Sequence, residues 1–303
     1  MARQRSSNHA AIPPVEGNDR HVAWRMQVAR AIADAYGSEH QLVALTVAGS
    51  VGAGLADRWS DLEIDCYWSD APSDSQRRAP PPRIGASDVV VWDYDPAERE
   101  WSEDYTVDRL AVNVSNFTTE TVEEFLERVI EHGDTDPVKH MRLAAIESCV
   151  CLRGEGPTGA WRERAREYPD ALVDAMVAAA LRPGVLDGWE SRDAWVERGD
   201  GIASHALLAR IEQAVLATVL ALNRVYRPHR YFKWQRAALS ACAIAPERLS
   251  ERLESLWHPS LPDGLASAES LLADLLLLAD QRSGANLTAF RELFGARRSP
   301  VDP

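Results

Sequence analysis

At 303 residues the chain is long enough for two domains of ordinary size, and its 46% hydrophobic and 26% charged residues are those of a soluble globular protein. A formal net charge of −13 opposes binding to a polyphosphate backbone, so a nucleic-acid partner is not expected. No apolar run approaches the roughly 18 residues of a membrane span, the N-terminus has no signal-peptide core, and no membrane partner is expected. The four cysteines (Cys66, Cys149, Cys151, Cys242) lie in apolar segments without zinc spacing, and read as reduced thiols of a cytoplasmic protein.

Residues 1–19 are polar and irregular, with Pro13-Pro14, and read as a mobile tail. Val22, Met26, Ala29, Ala33 and Tyr36 recur at helical spacing, which predicts a helix over 21–36. Leu42 to Ala48 is a short β-rich run that ends at Gly49-Ser50. Leu62 to Trp68 begins by alternating apolar and acidic residues, the pattern of a strand with one dry and one wet face. Pro72 to Pro82 reads as a loop. Asp88–Tyr94 and Tyr105–Phe117 read as two further strands, and Thr118-Thr119-Glu120 opens a helix through Arg128. From Pro137 onward every segment reads as helix: 138–151, 169–181, 203–226, 231–243 and 266–281. The expected architecture is α+β, with a mixed sheet and flanking helices over 20–156 and an all-helical bundle over 157–303.

The chemistry concentrates in Gly49-Ser50 and Ser60-Asp61-Leu62-Glu63. Two carboxylates at i and i+2 on a strand point to the same face, about 6–7 Å apart at Cα. Mg²⁺ takes oxygen ligands and shares them with substrate phosphates, so such a pair suits a metal-dependent phosphoryl site. Gly49 lets a triphosphate approach the backbone, and the Ser50 hydroxyl and nearby amides donate to its oxygens. The glycine spacing of Gly49, Gly52 and Gly54 matches neither a dinucleotide-binding loop nor a Walker loop. The plain alternative is a solvated strand face.

Taken together, residues 43–68 resemble the signature of the polymerase β-like nucleotidyltransferases, closest to their minimal and aminoglycoside/lincosamide-type branch. The resemblance implies transfer of a nucleoside monophosphate, AMP from ATP, to a hydroxyl with release of pyrophosphate. By position, Gly49, Ser50 and Ser60 would hold the triphosphate, and Asp61 and Glu63 would bind Mg²⁺. A third carboxylate is expected on a later strand, and its position falls on Asn113, which offers a neutral oxygen and cannot act as a base. Asp108 is the other candidate, and Asp65 lies on the same face as Asp61 and Glu63.

The helical half resembles the helical domain of some members around 221–234. Lys233 and Arg224 are either triphosphate contacts or surface charges, and Asp200 either caps a helix or places a carboxylate at the site. Most of the ten tryptophans fall at apolar helical positions or strand ends, where core packing is the default. The acidic surface favours a small-molecule hydroxyl acceptor. Two alternatives accompany this reading: a nucleotide- or ligand-binding protein of the same fold that no longer catalyses, and an antitoxin-like enzyme that modifies a protein.

Overall fold

A computed structural model of the chain describes residues 17–301. The tail expected at 1–19 lies almost entirely outside them. The first helix, α1 (Asp19–Tyr36), buries Met26, Ala29, Ile32 and Tyr36 along one stripe, as the helical spacing requires.

The fold is α+β. Strands β1 (Leu42–Val47), β2 (Leu62–Trp68), β3 (Ser87–Val91), β4 (Trp101–Val107), β5 (Leu110–Thr118) and β6 (Val150–Arg153) form one mixed sheet in the order β3-β4-β5-β2-β1-β6. Among the described residues only the β2–β5 pair is parallel. Leu62, Ile64, Cys66 and Trp68 of β2 face a dry core with Leu45, Val47, Val112, Val114 and the buried stripe of α1. Fully burying each large aliphatic there contributes roughly 1.5–3 kcal/mol. The period-2 alternation of β2 therefore places Asp61, Glu63, Asp65 and Tyr67 on the opposite face.

Around this sheet the one-turn α2 (Gly49–Gly52) follows β1. Residues 72–82, expected as a loop, contain most of two short helices, α3 (Asp74–Arg78) and α4 (Pro80–Arg83). Ser73 and Gln76 make a complete capping box for the first, and prolines are tolerated in the opening turn of the second. The run 105–117 is not one strand but the arms of the β4–β5 hairpin. Its turn residues Asp108 and Arg109 both have positive φ, 47° and 67°, as a type I′ turn demands. After β5 come α5 (Thr119–Leu126), capped by Thr118, a short π-helix over Glu127–Glu131, and α6 (Pro137–Ser148).

The absence of strands expected after Pro137 is also corrected. The chain leaves the helix at Cys149 in extended backbone, and β6 pairs antiparallel with β1 as an edge strand. Gly154 then turns with φ +80°, where a Cβ would stand 2.3 Å from the Val43 carbonyl oxygen, so α7 (Glu155–Ala165) follows only because that residue is glycine.

Two compact units result. The first holds the residues up to His132, Asp136–Glu167 and Pro228–Arg230, so it includes α7. The second holds 133–135, 168–227 and the residues from Tyr231 onward. It is helical: α8 (Asp170–Ala180), α9 (Arg192–Arg198), α10 (Gly201–Leu222), α11 (Gln235–Ser240), α12 (Leu249–Ser255), α13 (Leu261–Arg282) and α14 (Thr288–Gly295). Its centre is α10, which packs against α8 and α13 and buries Leu207, Leu208, Ile211, Val215 and Val219. This helix is long and apolar enough to cross a membrane, yet 61% of its apolar window is buried inside the protein. Asp200 stands at its N-cap without a capping bond from its side chain. All four cysteines are free, with Cys66 and Cys149 buried and Cys151 and Cys242 half-buried.

Candidate active site

The site grows from the end of β1. Ala48 N–H donates to the Glu63 carbonyl at 3.0 Å, the last rung between β1 and β2. The chain then turns at Gly49, whose φ is +56°, and winds one helical turn, with Gly52 and Ala53 donating back to Ala48 and Gly49 at 2.9 and 3.0 Å. The leading amides of such a turn have no carbonyl behind them in the helix. Ser50 is half-buried, and its hydroxyl makes no hydrogen bond among the described residues.

Glu63 comes down onto this turn. A Cβ on Gly49 would lie 1.4 Å from Glu63 Oε2 and 2.5 Å from its Cδ. The carboxylate therefore occupies the space that any side chain at position 49 would fill. Glycine is required twice over here, by its left-handed backbone and by this contact. Asp61, one residue before β2, is half-buried and accepts no hydrogen bond among the described residues.

The turn that carries Asp61 is rigid. Asp57 Oδ1 accepts from Trp59 N–H at 2.9 Å and from the Ser60 hydroxyl at 3.1 Å, and Ser60 Oγ accepts from Asp57 N–H at 3.0 Å. These bonds hold the Asp57 carboxyl below its ordinary range despite the opposing effect of burial. The buried Arg25 of α1 clamps the Ser60 carbonyl with two nitrogens, Nε at 3.0 Å and Nη2 closer still. Ser60 thus acts in shaping the turn, with its hydroxyl committed to Asp57.

Asp65, considered above as a further carboxylate, is only 3% exposed. Burial raises its carboxyl, Arg142 opposes that shift, and the Tyr67 hydroxyl donates to it at 3.3 Å. It shares the strand face of Asp61 and Glu63 but is covered there, beside Arg142 and Tyr67. Asp108 sits in the exposed hairpin turn.

On β5, Asn113 is the in-register partner of Glu63, exposed and on the same face. The next strand carries a residue that the sequence reading missed. Asp104 of β4 pairs with Asn113, which donates from Nδ2 to Asp104 Oδ1 at 2.5 Å. Trp92, 51% exposed, donates its indole N–H to Asp104 Oδ2 at 2.7 Å. A row thus runs Asp104–Asn113–Glu63–Gly49 across three strands and a turn.

The oxygens on this partly exposed face, the Asp61 and Glu63 carboxylates with the Asn113 amide carbonyl, are of the hard kind that suits Mg²⁺. Among the described residues no three His, Cys, Asp or Glu side chains are gathered closely enough to hold a metal by themselves. The residues fit an ion whose coordination substrate oxygens complete, as Mg²⁺ at phosphates requires.

In the second unit, Arg224 has positive φ and binds the Tyr168 carbonyl and the Asp170 carboxylate. Lys233 is exposed, between Phe232 and Trp234, both of positive φ. Not every tryptophan packs the core: Trp59 is 80% exposed on the rigid turn beside Asp61.

A family described as a domain of unknown function (DUF4037) matches residues 137–235. No curated protein matches the chain. Among solved structures, the chain is similar to a nucleotidyltransferase-like protein from Exiguobacterium sibiricum 255-15, at 11% identity, covering 84% of this chain and 77% of that one, with a TM-score of 0.39.

Proposed function

We propose that the first unit is a nucleotidyltransferase that moves a nucleoside monophosphate, AMP from ATP, to a hydroxyl of a small molecule and releases pyrophosphate. One observation carries this reading: the Glu63 carboxylate rests on the Gly49 turn, on the strand face it shares with Asp61. Carboxylates and phosphate-seeking donors are otherwise kept apart, because an acid at an anion site repels the anion. Their juxtaposition makes sense where a cation lies between them.

In this reading the Gly49-Ser50 turn binds triphosphate oxygens through the leading amides and the Ser50 hydroxyl. Glycine admits them to the backbone, and Asp61 and Glu63 would hold Mg²⁺. When bound, that ion would neutralise phosphate charge and the leaving pyrophosphate. The acceptor oxygen forms a bond to the α-phosphorus as the bond to pyrophosphate breaks. Arg25 and Asp57 keep the Asp61 turn from moving, so the carboxylate is in place before the nucleotide arrives. For Arg224 the packing role has a definite observation, its engagement with Tyr168 and Asp170. The net charge of −13 favours a small acceptor over a polynucleotide.

A second reading has its own support. Asn113 stands where an acid is expected, and it cannot take a proton from an acceptor. That favours a protein that binds nucleotide without turning it over. Calorimetry with a non-hydrolysable ATP analogue, with and without Mg²⁺, tests the shared premise. Binding that needs Mg²⁺ and vanishes in the Asp61→Ala/Glu63→Ala double variant is expected. No binding of this or any other triphosphate by the wild type would sink both readings. Pyrophosphate release over a panel of hydroxyl acceptors then separates them.

A further inference from the structure

Asn113 stands between two acidic side chains. Glu63 of β2 is its in-register neighbour on one side and Asp104 of β4 on the other. Its amide nitrogen donates to Asp104 at 2.5 Å. An ionised carboxylate can only accept, so Asp104 decides which end of the amide faces it. The nitrogen turns to β4, and the carbonyl Oδ1 is presented on the other edge of the planar amide, where Glu63 is next in the row. Asp104 is itself held from its far side by the Trp92 indole at 2.7 Å. Each of these donors has an unambiguous acceptor, so the orientation is determined from Trp92 inward.

We infer that Asp104 is a positioning residue of the candidate active site: by anchoring Asn113 Nδ2 it keeps the Asn113 carbonyl, and not the amide nitrogen, beside Glu63. The inference rests on the nucleotidyltransferase reading above, since its consequence is the binding of a cation with nucleotide. Without the anchor the amide is free to turn over and donate to Glu63. A carboxylate that gains a further N–H donor has less to offer a cation, and the local dipole has reversed sign. An acid displaced by one strand thereby serves the site through the neutral residue that occupies the expected position.

The experiment is a titration of Mn²⁺ by electron paramagnetic resonance in the presence of the non-hydrolysable ATP analogue. It compares full-length wild type, Asp104→Ala, Asn113→Ala and the double variant, with melting curves for each. Asp104→Ala should weaken Mn²⁺ binding by roughly 10–100-fold, the usual cost of losing a partner that orients a ligand. The double variant should bind no more weakly than Asn113→Ala alone, because Asp104 acts through Asn113. If Asp104→Ala does not fold, Asp104→Asn keeps the shape while letting the amide face either way, and should weaken binding in the same direction. Unchanged Mn²⁺ affinity in a folded Asp104 variant overturns the inference and leaves the transferase reading intact. So does an Asp104 effect that persists at full size in the Asn113→Ala background. A wild type that binds no metal–nucleotide complex overturns both.

Discussion

The β4–β5 hairpin makes an asparagine–carboxylate pairing twice, once on each face of the sheet, to opposite ends. On the dry face Asn116 donates to Glu103 Oε2 at 2.8 Å, and on the open face Asn113 donates to Asp104 at 2.5 Å. Glu103 is 1% exposed and closed in on all sides: Arg77, itself 2% exposed, pairs with it at 3.0 Å, and Trp68 completes Asn116 from the other side at 2.8 Å. The open pair has a tryptophan donor and, among the described residues, no cation paired with Asp104. A buried carboxylate persists only with its partner set complete, whereas an exposed one can keep charge and acceptor capacity for a ligand. The same kind of pair, an asparagine amide on a carboxylate, therefore serves the core on one face and the candidate site on the other.

The largest effect should come from breaking the closed pair. Arg77→Met leaves Glu103 buried without its cation, and a loss of about 3–5 kcal/mol is expected by urea denaturation. A mutant within 1 kcal/mol of wild type would show that Asn116 and the fold's own relaxation suffice. Next is the pH dependence. Burial pushes the Glu103 carboxyl from 4.5 up to about 7, with Asn116 and Arg77 working the other way. A carboxyl raised on folding contributes stability that is fully present below about 4.5 and is lost as pH rises through about 7. Relative to Glu103→Gln, which cannot titrate, wild-type stability should fall across that window by on the order of 2–3 kcal/mol. Parallel pH profiles for the two proteins would refute it.

On the open face stability effects shrink while binding effects grow. Gly49→Ala places a residue at φ +56°, costing about 1–2 kcal/mol, and its Cβ displaces the Glu63 carboxylate. Its Mg²⁺-dependent affinity for the ATP analogue should be abolished in a protein that still melts cooperatively. Smallest in stability is Asn113→Ala, an exposed truncation expected within about 0.5 kcal/mol of wild type. A thermal shift much larger than that would mean Asn113 serves the sheet and not the site.

How much of this was legible depends on how far apart the partners lie in the chain. Gly49, Ser50, Asp61 and Glu63 sit within one strand–turn–strand unit, so period-2 alternation and turn chemistry were enough to propose them together. Asp104 escaped because residues 105–117 read as one continuous strand. The hairpin turn uses Asp108 and Arg109 at positive φ, without the glycine or asparagine that would have marked it. Asp65 shares the strand face of Asp61 and Glu63 as expected, but alternation specifies a face and not what covers it, and Asp65 is buried. The edge strand β6 was hidden in four residues at the end of a helical pattern, where length could not separate it from helix.

The amino-acid sequence by itself determined the local devices: the α1 stripe, the two faces of β2, the glycine turn and the helical character of the second half. These follow from backbone sterics and hydrophobic period, which act over a few residues. Tertiary structure alone decided that β5 runs parallel to β2, which sets Asn113 against Glu63, and that β4 lies beyond it, which supplies Asp104. Strand order and register come from burying one face of the whole sheet at once, and no short window of sequence contains that condition.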